Sequence, residues 1–153
     1  MASEIEARLA AMGIALPVAA APAANYLPYS RSGGHLFTAG QLPLRDGTLT
    51  AKGRLGAEVS LEAGQQAAKW CAVNILAQAQ AALGSLEAIR RIVKITVYVA
   101  SGPDFTDQHL VANGASDLLA EVLGENGRHA RSAVGVPRLP LDAPVEIEAI
   151  IET

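Results

Sequence analysis

The tightest constraint on this fold is residues 92–100, Ile-Val-Lys-Ile-Thr-Val-Tyr-Val-Ala, with a segment of helical period on either side. Alternation puts Val93, Ile95, Val97 and Val99 on one face and Lys94, Thr96 and Tyr98 on the other, the pattern of a strand with one buried side. Upstream, Ser60 is a good N-cap, Glu62 suits a first turn and Gly84 supplies a stop, which predicts a long helix between Ser60 and Gly84. Its small apolar stripe through Ala67, Cys71 and Ile75 is interrupted by Asn74 and Gln78, marking a face shared with another chain or with a polar network. Downstream, Leu110, Val111, Gly114, Ala115, Leu118, Leu119 and Val122 recur at helical spacing up to Gly124, with Asp104 as the expected cap and Asp107 in the first turn. Helices on both sides of a one-faced strand imply an α/β sandwich with its helices on one sheet face.

The remaining segments fit that frame. Ser3 caps a short N-terminal helix over residues 4–12, with Ile5, Leu9 and Met12 on one side and Gly13 as its stop. Residues 16–28, broken by Pro17, Pro22 and Pro28, read as an extended connector. Two extended runs, 29–32 and 35–39, flank Gly33-Gly34 and form a hairpin. Residues 41–57 form a long surface loop or a second short hairpin around Asp46-Gly47. Two closing strands, 130–136 and 145–151, are joined by a loop carrying Pro137, Pro140 and Pro144.

At 153 residues the chain is expected to be one domain, 1–153, with residues 1–21 as an N-terminal extension. Only 4% of residues are aromatic, so the core must be built from Ala, Val, Leu and Ile. A net charge of -3 with scattered basic residues argues against nucleic acid as the partner. The single cysteine, Cys71, excludes an intrachain disulfide and fits a cytoplasmic location. The N-terminus has no basic start before an apolar run, and the Ala-rich stretch 15–24 is broken by proline, so neither a secretory leader nor a membrane span is expected. His35, His109 and His129 lack metal-ligand spacing, and there is no phosphate-cradling glycine loop or nucleophile elbow. No metal or cofactor is predicted.

Among residues able to carry chemistry, Arg131 starts a strand on which Ala133 and Gly135 share its face. A guanidinium beside two small residues leaves room for a carboxylate gripped by parallel hydrogen bonds, though a solvated strand-start arginine has the same pattern. Glu146 and Glu148 share one face of the last strand, as the wet side of a sheet or as a carboxylate that activates water. Gly40 is either a turn glycine or a place where backbone approaches a ligand. Tyr29 is either a core filler or an apolar wall bearing one hydroxyl.

Taken in order, several segments resemble the Rid (reactive intermediate deaminase, YjgF-type) family. They are Pro28-Tyr29, Phe37-Thr38-Ala39-Gly40-Gln41-Leu42-Pro43, the long helix after Ser60, residues 92–99 before Asp104-Phe105, Ala130-Arg131-Ser132-Ala133-Val134-Gly135-Val136-Pro137-Arg138-Leu139-Pro140, and Val145-Glu146-Ile147-Glu148-Ala149. The resemblance implies a chorismate-mutase-like mixed sheet with two main helices on one face, assembled as a homotrimer with clefts between subunits. It implies cofactor-independent hydrolysis of 2-imino acids, such as 2-iminobutanoate and 2-iminopropanoate, to 2-keto acids and ammonia. By the same resemblance Arg131 clamps the substrate carboxylate and Glu146 positions the attacking water. Tyr29, Ala39, Gly40, Asn113 and Ala133 line the substrate site. The chain departs from the pattern at Ala39, where many active members carry Ser, and at His129, where Pro or a small residue is usual. Two other functions compete: a non-catalytic trimer that binds a small acid or acts as a chaperone, and the endoribonuclease activity often attributed to relatives.

Overall fold

Ser3 starts the first helix with a reciprocal cap: its hydroxyl accepts from the Glu6 N–H at 3.1 Å, and the Glu6 carboxylate accepts from the Ser3 N–H at 3.1 Å. In the computed structural model, which describes residues 3–153, this helix is α1, Glu4–Ala11. The start of the expected extension, Met1 and Ala2, lies outside the described residues. The Gly33-Gly34 turn joins β1, Tyr29–Ser32, to β2, His35–Thr38, and Asp46-Gly47 joins the two-residue strands β3, Leu44–Arg45, and β4, Thr48–Leu49. Ser60 caps α2, Leu61–Leu83, by accepting from the Ala63 N–H at 3.1 Å, and left-handed Gly84 ends it. There follow β5, Arg91–Ala100, α3, Gln108–Leu123, β6, Ala130–Val136, and β7, Val145–Glu152.

The main sheet has the order β1-β2-β7-β5-β6, and only β5 and β6 run parallel. A parallel neighbour requires a crossover, and α3 provides it. The sheet is therefore mixed, with α2 and α3 packed on one face.

Two expectations need correction. On β5 it is Ile92, not Val93, that joins the buried face: β7 partners step from Ile151 to Ile150 while β5 steps from Ile92 to Lys94. Val93 is the extra residue of a β-bulge, which moves the residues before it to the opposite face. The cap position of α3 is held by Asp107, not Asp104, and Asp107 makes no side-chain cap bond. The helix opens at Asp107 because its carbonyl accepts from the Leu110 and Val111 N–H groups at 2.9 and 3.2 Å.

Residues 71–79 of α2 are all buried, as expected for a helix held between a sheet, a second helix and a loop. Of the two readings of Asn74 and Gln78, the polar network is present. The Asn74 side-chain amide donates to the carbonyls of Leu42, Leu44 and Trp70 at 3.3, 2.8 and 2.8 Å. The Gln78 amide donates to Ala20 O at 2.8 Å and to Gln41 Oε1 at 3.3 Å. Of the two readings of residues 41–57, the second short hairpin is present as β3 and β4, and the segment is fastened to the core, with Leu55 within it fully buried.

The packing of α2 on α3 is set by Gly114, where any Cβ would overlap the Gln65 backbone carbonyl. Since backbone cannot yield as a side-chain tip can, Gly114→Ala must spread the helices and is expected to cost about 3 kcal/mol of unfolding free energy. Gly34→Ala, where the nearest atom to an added Cβ is Thr153 O at 3.8 Å, should stay within about 0.5 kcal/mol. Urea denaturation of the two variants checks the contrast.

Candidate functional site

Strand pairing decides which way each predicted residue faces. Arg131 is the cross-strand partner of Ile95, and Ala133 of Val97. Ile95 and Val97 are fully buried beneath the helices, so Arg131 and Ala133 belong to the helix face, at the edge of the sheet. The Arg131 guanidinium lies along α3. Its Nη1 donates to Ser116 Oγ at 2.9 Å and its Nη2 to the His109 carbonyl at 2.8 Å. It borders an open hollow of about 510 Å³, with Asn113, Ser116, Arg128 and His129 among the other walls. Nε and one hydrogen on each terminal nitrogen remain for a ligand. The Arg131 side chain is half-buried and doubly tethered beside a concavity rather than turned out into bulk solvent.

Glu146 lies on the other face. It pairs with Tyr98, whose neighbours Val97 and Val99 point into the core, so Glu146 projects away from the helices. Its side chain rests on Gly40, where a Cβ would come within 2.7 Å of the Glu146 carboxyl carbon. Only glycine leaves that space. Burial raises the Glu146 carboxyl above the ordinary glutamate range, and the like charge of Glu148 raises it further. Glu148 accepts a 2.6 Å hydrogen bond from the Tyr98 hydroxyl, which raises the phenol as well.

Gly40 is placed by the loop already described. Gln41 exchanges backbone hydrogen bonds with Ile147 at 2.7 and 3.1 Å, docking the loop beside β7, and the buried Gln41 side chain is held by Gln78. Ala39 donates its N–H to Pro28 O at 2.9 Å. Tyr29 pairs with Thr38 and packs, half-buried, against the margin of the core, on the helix side of the sheet.

The predicted residues therefore fall into separate groups. Arg131, Asn113 and Ala133 cluster at the β6 edge against α3, whereas Glu146 and Gly40, with Ala39 beside them, lie near β7. Within one chain β5 separates Arg131 from Glu146, and they point to opposite faces. Sequence reasoning missed Ser116 and His129. His129 Nε2 lies 2.8 Å from Ser116 Oγ, and its Nδ1 lies 2.6 Å from the Gly127 carbonyl. Their spacing in the chain carries no motif; only the departure at His129 pointed there.

The two acids on β7 make a direct test. The Glu146 side chain should titrate above an ordinary glutamate, and Glu148→Gln should move its midpoint downward by removing a like charge. Carboxyl-carbon NMR across pH measures both.

Comparison with known proteins places this geometry among relatives. A family model described as "YjgF/chorismate_mutase-like, putative endoribonuclease" matches residues 6–152. Protein TCP17 of Trypanosoma cruzi is 51% identical over 149 residues, which cover 97% of this chain and 93% of that protein. The crystal structure of a protein of unknown function from Agrobacterium tumefaciens superposes with a TM-score of 0.93 at 53% identity, covering 97% of this chain and 92% of its own. E. coli TdcF with bound serine superposes with a TM-score of 0.63 at 28% identity, covering 90% of this chain and 92% of its own.

Proposed function

Since the chain belongs to the YjgF/chorismate-mutase-like (Rid) family, we propose that it hydrolyses 2-imino acids to 2-keto acids and ammonia, in sites assembled between copies of itself. The observation that carries this reading is the tethered Arg131 guanidinium, half-buried at the rim of a hollow with hydrogens still free for a carboxylate. The serine bound to TdcF, itself a small amino acid with a carboxylate, supports a ligand of this size.

The chemistry needs a carboxylate grip, a water and a group that handles protons. Arg131 supplies the grip, and fixing the acid sets the imine carbon where water can reach it. Glu146, raised above the ordinary glutamate range by burial and further by the like charge of Glu148, holds a proton more readily than an exposed glutamate and suits proton transfer to and from water. Glu146 takes one proton from water as the oxygen bonds to the C=N carbon, and the π pair moves to nitrogen. Glu146 passes that proton to the nitrogen, giving a carbinolamine with one hydroxyl and one amino group. The hydroxyl proton then passes to the nitrogen by way of Glu146. The C–N bond breaks to release ammonia, and the oxygen lone pair closes the keto carbonyl. An imine is already electrophilic, so the scheme calls on no cofactor.

Because Arg131 and Glu146 face opposite sides of one sheet, a complete site needs Arg131 from one copy and Glu146 from another. The sheet face opposite the helices suits association: Phe37 and Val134 are 42% and 43% exposed there, beside Ile150 and Tyr98. A homotrimer, the assembly that the resemblance implies, closes on itself with three equivalent clefts.

Ammonia release from imino acids generated in situ tests the activity. Arg131→Ala and Glu146→Gln are each expected to lower kcat/KM about 100-fold, the scale of losing a bidentate charged grip or a general base. Light scattering should give the mass of three chains. Unfolding the two inactive variants together and refolding the mixture should restore part of the activity, since some mixed clefts then carry both native residues. Undiminished activity in the single variants removes the mechanism, and a failure of mixing to restore any removes the shared site. The same variants test RNA cleavage, the activity named in the family description: cleavage of single-stranded RNA lost in Arg131→Ala, without imine hydrolysis, would put that reading first.

A further inference from the structure

The Arg131 hollow contains a chain of hydrogen bonds whose direction is fixed by chemistry. Arginine only donates, so Ser116 Oγ accepts from Arg131 Nη1 at 2.9 Å. The Gly127 carbonyl only accepts, so His129 Nδ1, 2.6 Å away, carries a hydrogen. In the neutral ring Nε2 is then an acceptor and takes the Ser116 hydroxyl hydrogen across 2.8 Å. The order runs from Arg131 to Ser116 to His129 to Gly127, and each group has the partner it requires. Gly127 is itself fixed, because a Cβ there would overlap the Leu119 carbonyl.

Protonating His129 breaks this order. Nε2 would then donate to Ser116 Oγ, and one hydroxyl would lie between an imidazolium and a guanidinium. The ring is held below the ordinary histidine value, chiefly by burial and further by the charge on Arg131, against the opposing pull of the Gly127 carbonyl. Around His129 the charged groups are Arg131 on β6, Arg128 on the turn before it, with Glu125 3.7 Å from the Arg128 guanidinium, and Asp117 on α3. A carboxylate seated on Arg131 would cancel the nearest positive charge.

We infer that Ser116 and His129 are positioning residues for Arg131, and that His129 takes up a proton when an organic acid enters the hollow. This rests on the reading of Arg131 as a carboxylate grip and adds to it a second, proton-dependent cation. Linkage makes the effect reciprocal: if the acid favours the imidazolium, lower pH tightens the acid.

Imidazole NMR on the full-length protein tests the coupling, with His129→Gln identifying the His129 signal among three histidines. Without ligand, Arg131→Gln should raise the His129 midpoint by removing the neighbouring charge. Saturating pyruvate should raise it in the wild type by about one pH unit, and pyruvate should bind up to about tenfold more tightly at pH 5.5 than at pH 8. His129→Gln keeps an acceptor for the Ser116 hydroxyl but cannot titrate, so whatever its affinity at pH 8, it should show no such gain on acidification. Ser116→Ala should weaken binding at pH 8, and Ser116→Thr should restore it. A His129 midpoint indifferent to Arg131→Gln overturns the coupling itself. Pyruvate binding that leaves the midpoint in place overturns proton uptake alone and leaves the carboxylate grip standing. Failure of pyruvate to bind the wild type at any pH removes the grip, and proton uptake with it.

Discussion

Everything at the β6 edge depends on how closely α3 approaches α2. At Gly114 the two backbones meet without a side chain between them, and the Gln65 side-chain amide, 3.0 Å from the Leu110 carbonyl, ties the same crossing. That contact sets the depth of α3 over the sheet. His109 and Ser116, seven residues and two turns apart, share the face of α3 that meets Arg131. A wider crossing would carry both acceptors away from the guanidinium. An arginine on an edge strand would then be a mobile surface cation rather than a fixed fork.

The sheet divides the chemistry by the same logic that builds the core. Alternation along β6 assigns Arg131 to one face, and alternation along β7 assigns Glu146 to another, but neither strand alone tells which face is which. The pairing decides it: parallel β6 sets Arg131 beside Ile95, and antiparallel β7 sets Glu146 beside Tyr98. An arginine and a glutamate serving one small ligand from opposite faces of one sheet must come from two molecules. Under the proposed function these residues are two half-sites, and the sheet face opposite the helices, apolar at Phe37, Val134 and Ile150, is where a second copy would have most to gain.

Much of this was legible in the sequence, and what was not has a physical cause. Caps and turn glycines give α1, α2 and the first hairpin, because each is set by local chemistry at Ser3, Ser60, Gly84 and Gly33-Gly34. Alternation gives the last two strands, and Asp46-Gly47 left the second hairpin as one of two readings. The bulge at Val93 was hidden because it exists only against β7, a strand fifty residues away. Asp104 and Asp107 are equally good caps by residue type, and residue type alone does not choose between them; Asp107 takes the position without a side-chain cap bond. Asn74 and Gln78 stood out as polar residues interrupting the apolar stripe of α2, but their partners at Leu42, Leu44, Ala20 and Gln41 come from loops without a readable period. Ser116 was invisible for the same reason, and His129 stood out only as a departure from the family pattern, because their pairing arises where α3 passes the start of β6.

Gly40 and Glu146 show how assembly and acidity are linked. Burial is the larger cause of the raised Glu146 carboxyl even in the single chain, where the group is only half-covered. A second copy laid over this face would remove further water, and desolvation always disfavours the charged carboxylate. Only a new cation or donor brought by that copy could oppose the rise, and a guanidinium at the Arg131 position is such a group. In the proposed shared cleft the acidity of Glu146 would be set by two opposed effects, lost water and an approaching arginine. Both would change together if the cleft opened, so the proton affinity of this carboxyl would report how closely two half-sites had met.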